Sequence, residues 1–250
     1  MKKNILAFLI AASAISTSVG ADPADYVKVP SIEYGERELE LKYGTTKLTD
    51  GEGRVSAGTF GFGYGVTPNW FTEAYVKYQK MPGERTRFDA IEWENKFLLT
   101  ETGKYPVDLG LFVELEVPRD RNEGYEFRFG PLLQTDFGRI QVNANFFLKR
   151  QVRVGTNSDP QVTEFHYQFQ AKYRLMREFE FGVQAFGELG KWNHWDSSDK
   201  QNHRIGPAIF GKIPTRTKEA IRYDFAWLLG ASKAAPDSTV TFNWNTNSEL

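Results

Sequence analysis

Three histidines are the first candidates for chemistry in this 250-residue chain. His166 stands between Glu164 and Gln168, where it would be a proton-switchable group in a polar wall. His194 and His203 belong to a Trp- and Asp-rich stretch running from Leu189 to His203. There His194 with Asp196 or Asp199 offers an acid–imidazole pair, but a hydrolytic site needs facing groups that this single stretch lacks. Trp192 and Trp195 present stacking faces for sugar rings or lipopolysaccharide, and equally suit the role of loop anchors. A Gly-x-Ser-x-Gly nucleophile elbow is absent. Gly61, Gly63 and Gly65 do not make a phosphate cradle, since the spacing to a third glycine is wrong and no helix follows. The histidines are far apart and the chain has no cysteine, so no metal site and no cofactor is predicted. The residues point away from an enzyme.

Charged side chains on one face of successive strands are the remaining candidates. The acidic ones are Glu73, Glu92, Glu94, Asp108, Glu114, Glu116, Glu126, Glu164 and Glu180; the basic ones are Lys77, Lys96, Arg128, Lys149, Lys172, Arg174, Arg204 and Arg222, with His166 among them. Acids gather from Glu92 to Glu116 and bases from Lys149 to Arg174. Facing rows of opposite sign would set up a transverse field that orients polar solutes. The alternative is that they neutralise one another in a salt-bridged plug.

The elements that must carry these residues are strands. Apolar and polar residues alternate with a period of two from end to end. Trp70, Thr72, Ala74, Val76 and Tyr78 alternate with Phe71, Glu73, Tyr75, Lys77 and Gln79, and Val107 to Val117 and Phe165 to Leu175 behave likewise. About twelve such segments occur, each near the 9–11 residues of a tilted membrane strand and longer than an ordinary soluble strand. No helical periodicity competes, so the chain is all-β. Connections alternate between short (67–69, 102–106, 135–138, 176–178) and longer (47–53, 81–87, 118–123, 151–162, 189–203). The repeating unit is the hairpin.

A closed sheet of about twelve strands is too wide to be filled as a dry core by its own side chains. The charged face then suits a wet lumen and the aromatic and aliphatic face suits hydrocarbon. Gly61, Gly63 and Gly65 fall in the lumen phase and leave room for larger neighbours. Trp70, Tyr78, Tyr125, Tyr173 and Trp227 suit interfacial belts. Asn95 is discordant, falling in the lipid phase among Trp93, Phe97 and Leu99.

Composition agrees. Aromatics reach 15% beside 22 glycines, and 31 basic residues stand against 32 acidic ones, which excludes a generic basic nucleic-acid binder. Residues 1–21 read as a cleaved signal peptide: Lys2 and Lys3, an apolar run from Ile5 to Ile15, then small residues ending at Ala21. Residues 22–250 form one barrel domain.

With this hairpin repeat the chain resembles the outer-membrane β-barrels of Gram-negative bacteria, and within them the twelve-stranded, porin-like channel group. The resemblance covers the whole mature sequence and rests on a diffuse pattern. Phe242 and Trp244 partly fit the C-terminal insertion signal of such barrels, whose usual final Phe is replaced by Leu250. It implies a transmembrane antiparallel up-and-down barrel in the bacterial outer membrane, with membrane lipid, lipopolysaccharide, the barrel-assembly machinery and small polar solutes as partners. The outer-membrane phospholipase of this class uses a Ser–His pair on the lipid-facing wall, and no histidine is expected there. A passive channel for small hydrophilic solutes is therefore the expected function. A non-conducting structural or surface-recognition barrel is the alternative, and an outer-membrane hydrolase a more distant one.

Overall fold

The computed structural model of the chain describes residues 22–153, 161–215 and 219–248. The signal peptide and Leu250 lie outside the described residues. The strands are β1 (Arg37–Lys47), β2 (Arg54–Thr67), β3 (Trp70–Lys80), β4 (Arg87–Leu98), β5 (Asp108–Pro118), β6 (Tyr125–Phe137), β7 (Ile140–Val152), β8 (Thr163–Met176), β9 (Phe179–Lys191), the two-residue β10 (His194–Trp195), β11 (Asn202–Pro214), β12 (Glu219–Gly230) and β13 (Ser238–Ser248). All pairings are antiparallel, and β1 pairs with β13, so twelve strands close into a barrel with β10 as a short addition to the edge of β9. Connections 48–53, 81–86, 119–124, 192–201 and 231–237 share one end, and 68–69, 99–107, 138–139 and 177–178 share the other. We call these the long-loop and short-turn ends. The turn expected at 102–106 is longer than its neighbours.

The period of two decides which way each strand faces. Leu39, Leu41, Tyr43, Phe60, Phe62, Ile91, Trp93, Phe127, Phe129, Phe181, Phe225 and Trp227 are exposed on the outside of the closed sheet, whereas Glu40, Glu73, Glu94, Glu114, Asn143, Gln168 and Gln184 in the opposite phase are buried. A soluble protein does not expose an apolar band of this extent, and such a band around a closed sheet is the surface of a transmembrane barrel.

The glycines in the inward phase have specific occupants. Gly63 stands in register between Glu38 and Glu73, and Gly61 between Glu40 and Tyr75. A Cβ on Gly61 would run into the Tyr75 ring and one on Gly63 into the Phe71 ring. These aromatic rings lie flat across β2 where it carries no side chain.

The discordant Asn95 keeps its outward phase, opposite Thr72 and Val113, with no bulge at that point. It is nevertheless buried, because Trp70 on β3 lies over it and donates its indole N–H to the Asn95 Oδ1 at 3.0 Å. The polar side chain is covered by an aromatic ring and hydrogen-bonded.

Candidate functional site

The sequence reading gave the interior to strand side chains and water. The structure places a further element there: residues 22–36, which lead into β1, run inside the barrel. Asp22 meets Lys77 at 2.8 Å toward the long-loop end, and the Lys28 Nζ meets Glu94 at 2.6 Å halfway. Pro30 sits against Gly110, and at the short-turn end Gly35 N–H donates to the Gly65 carbonyl at 2.9 Å while Gly65 N–H returns a bond to Glu36. The barrel's side chains satisfy the backbone of this segment. Gln168 Oε1 accepts from Lys28 N–H at 3.2 Å, and Asn145 Nδ2 donates to the Lys28 carbonyl at 2.9 Å. Val27 packs into an apolar cluster with Phe186, Ala208, Phe210, Ala226 and Leu228. Gly44 and Gly65 make the close approach possible, since a Cβ on either would overlap the backbone of Pro23 or Glu33.

The interior is therefore not uniformly wet. Phe112, Leu132 and Phe147 form a second dry cluster in the inward phase, with the rings of Phe112 and Phe147 5.3 Å apart. Cations ride on these faces: Lys28 and Lys42 each stand 4.2 Å from the Tyr26 ring centre, and Arg128 stands 5.5 Å from that of Phe112.

Most of the candidate charges meet one another here. Lys77 holds Glu92 at 2.9 Å and Glu116 at 2.8 Å as well as Asp22. Glu94 faces Lys28 and, at 3.6 Å, Lys42; Lys96 reaches Glu73 at 3.3 Å. Arg128 lies 2.5 Å from Glu114 and 3.6 Å from Asp25, Lys149 3.0 Å from Glu126, and Lys172 2.7 Å from Glu180. His166 pairs with Glu164 at 3.2 Å on its own strand. Arg204 is buried over the Phe186 ring. Three residues stand nearer the short-turn mouth: Arg174 with Asp136 at 3.0 Å, Arg222 with Glu33 at 3.6 Å, and Asp108, which accepts from Gly103 N–H at 2.7 Å and caps a turn. Burial by itself would raise the Asp22 carboxyl, but the Lys77 ammonium and the Ala24 N–H outweigh it and hold it at about 2.

Two larger cavities among the described residues flank the segment, with Tyr26 in the wall of both. The one toward the long loops, about 180 Å³, is lined by nine carboxylates, among them Asp89, Glu92, Glu116 and Glu188, against five bases. The one toward the short turns, about 390 Å³, is lined by Lys172, Arg174, Arg177, Lys212 and Arg222 against Glu180 and Asp224. The expected transverse separation of charge is thus largely quenched by pairing, and the residual polarity runs along the barrel axis.

Sequence reasoning missed Asp22, Asp25, Lys28 and Glu36 as interior groups, and left Glu38, Glu40 and Lys42, in the polar phase of β1, out of the candidate set. The available signal was the length of the lead between Ala21 and Arg37, which carries apolar Tyr26, Val27 and Val29 between two prolines, together with small residues Gly44, Gly65 and Gly110 in the inward phase. The histidine expectation also needs correction. His203 lies within β11 and faces outward, opposite Gly187. Its ring is bonded to the Tyr167 hydroxyl at 3.0 Å and to Gln201 at 2.8 Å, and the nearby Ser232 Oγ accepts only from its backbone N–H. Among the described residues no serine hydroxyl is bonded to that ring. His194, in β10, and the neighbouring Trp192 and Trp195 are exposed at the long-loop end, with Trp195 stacked on Phe165 at 5.9 Å.

No protein-family model matches the sequence, and no curated protein sequence matches it. Solved structures do share the architecture. An outer membrane channel from Pseudomonas putida F1 superposes with a TM-score of 0.60 at 12% identity, over 91% of this chain and 99% of that one. The NanC porin superposes with a TM-score of 0.57 at 9% identity, over 85% of this chain and all of that one. The translocator domain of the autotransporter NalP from Neisseria meningitidis gives 0.52 at 10% identity, over 87% and 89%. At these identities the likeness is one of fold: the chain has the architecture of a porin-like outer-membrane β-barrel.

Proposed function

We propose that this protein is an outer-membrane channel for small hydrophilic solutes, held shut by its own residues 22–36. The outward apolar band and the outer-membrane barrels that share the fold support the location. The observation that carries the channel reading is the pair of polar cavities of opposite charge balance, separated by one segment that is joined covalently to the wall only at β1. A barrel serving only as a scaffold has no need of two charge-lined chambers. Solute would enter one chamber and leave by the other, down its concentration gradient, when the segment moves aside.

A sealed, non-conducting barrel is the second reading, favoured by the burial of Val27 among Phe186, Phe210 and Leu228. Planar-bilayer recording separates the two. The refolded mature chain should give rare openings, and a chain lacking residues 22–34 should give frequent, stable steps. Absence of steps from both forms would refute the channel.

A further inference from the structure

The ion pairs described above leave one group of carboxylates short of positive charge. Glu38 and Glu40 on β1 and Glu73 on β3 converge so that one carboxylate oxygen from each lies within 4.8 Å of the others, and all three are buried. The approach across the intervening strand is possible because Gly63, in register between Glu38 and Glu73, has no side chain. Glu36, two residues upstream, is buried as well. Against these four acids stand Lys42, 3.3 Å from Glu40, and Lys96, 3.3 Å from Glu73. Arg222 is 3.9 Å from Glu36 but closer, at 3.6 Å, to Glu33. Two negative charges are left over.

Two independent features show where the deficit sits. The Glu38 side chain, on a residue only 7% exposed, has no hydrogen bond or ion pair among the described residues, and the Glu73 Oε2 is fully buried without a hydrogen-bond partner. A carboxylate withdrawn from water without a partner is strongly unfavourable. Directly opposite Glu38 in the β1–β13 ladder stands Asn247, 4% exposed, whose Oδ1 has no hydrogen-bond partner; the next inward residue of β13, Asn245, opposite Glu40, also has a buried and unpartnered Oδ1. The Asn247 Nδ2 donates to Glu36, which leaves its Oδ1 free, and carboxylates beside an unused amide oxygen are the donor set of a hard cation.

We propose that this cluster binds one calcium ion, with Glu38, Glu40 and Glu73 as its carboxylate ligands and Asn247 supplying a neutral oxygen. Calcium accepts irregular oxygen cages at roughly 2.4 Å, so oxygens up to twice that distance apart can share it, whereas magnesium demands a tighter octahedron. Its two charges match the deficit. The cluster lies toward the short-turn end, where Asn245, opposite Glu40, borders the larger cavity. The inference concerns binding and stands whether or not the barrel conducts.

The test uses the full mature chain refolded in detergent and stripped with chelator, titrated with calcium by calorimetry and followed in parallel by thermal denaturation. One saturable site and a calcium-dependent rise in Tm are expected. Glu38→Gln should abolish both while folding at least as well as the parent in chelator, because it removes an unpaired buried charge. Asn247→Ala should weaken binding roughly tenfold, and Glu116→Gln, in the other cavity, should leave it intact. No saturable binding by the parent, or undiminished binding in both Glu38→Gln and Asn247→Ala, overturns the proposal.

Discussion

Replacing Lys28 by methionine should unseat the interior segment while leaving the barrel folded. The Lys28 Nζ contacts both oxygens of Glu94, at 2.6 and 2.7 Å, and each side chain is 1% exposed. Methionine keeps much of the packing volume and removes the charge. Breaking a buried ion pair from one side costs about 3–5 kcal/mol, because the other charge is left behind. Lys42, 3.6 Å from Glu94, offsets part of that, so the lower figure applies. About 3 kcal/mol corresponds to roughly a hundredfold rise in the ratio of displaced to seated segment. The chain has no cysteine, so a thiol introduced by Val27→Cys, at a buried position, is a clean reporter. Its reaction with a bulky impermeant reagent proceeds through the displaced state, and the labelling rate should rise by about the same hundredfold. Adding Glu94→Gln should return most of the difference, since no charge then remains unpaired. An unchanged labelling rate in Lys28→Met would refute the assignment of this pair as the latch. So would failure of Glu94→Gln to restore slow labelling.

Other outcomes follow from the same geometry. Gly44→Ala places a methyl in the backbone of Pro23 without touching any polar contact; it should raise bilayer current in the full chain and have no effect once residues 22–34 are removed. The seated Asp22 titrates at about 2 against an ordinary 3.8. A depressed carboxyl stabilises the seated state fully above its free value and loses that contribution as pH falls toward its bound value. Conductance attributable to this pair should therefore be flat from neutral pH to about 4 and rise between about 4 and 2, and Asp22→Asn should abolish that rise. Asn95→Ala strips the Trp70 indole of its acceptor and should lower unfolding stability by about 1–2 kcal/mol, an effect that largely vanishes in the Trp70→Phe background.

What the residues alone dictated is local and repetitive. A strand turns alternate side chains to opposite faces, so the run from Val107 to Val117 announces its own two surfaces without reference to any other part of the chain. A dozen such runs, too long for a sandwich and joined by connections of alternating length, leave a closed barrel with its apolar side outward. Asn95 marked a true anomaly for the same reason, although its resolution by Trp70 required knowing which residue of β3 crosses it.

The contents of the barrel were decided only by closure. Residues 22–36 have no periodicity to declare their place; they are fixed by partners as distant in sequence as Glu94, Asn145 and Gln168. The charges of the lumen phase were legible as a set, but pairing depends on which side chains meet across the interior, and that is a property of register and of the segment that brings Asp22, Asp25 and Lys28 among them. Glu38, Glu40 and Glu73 look in sequence like ordinary members of the polar face, and Gly63 like a mere gap. They become a cluster because the glycine stands between two of the acids in the folded sheet, and no single strand carries that information.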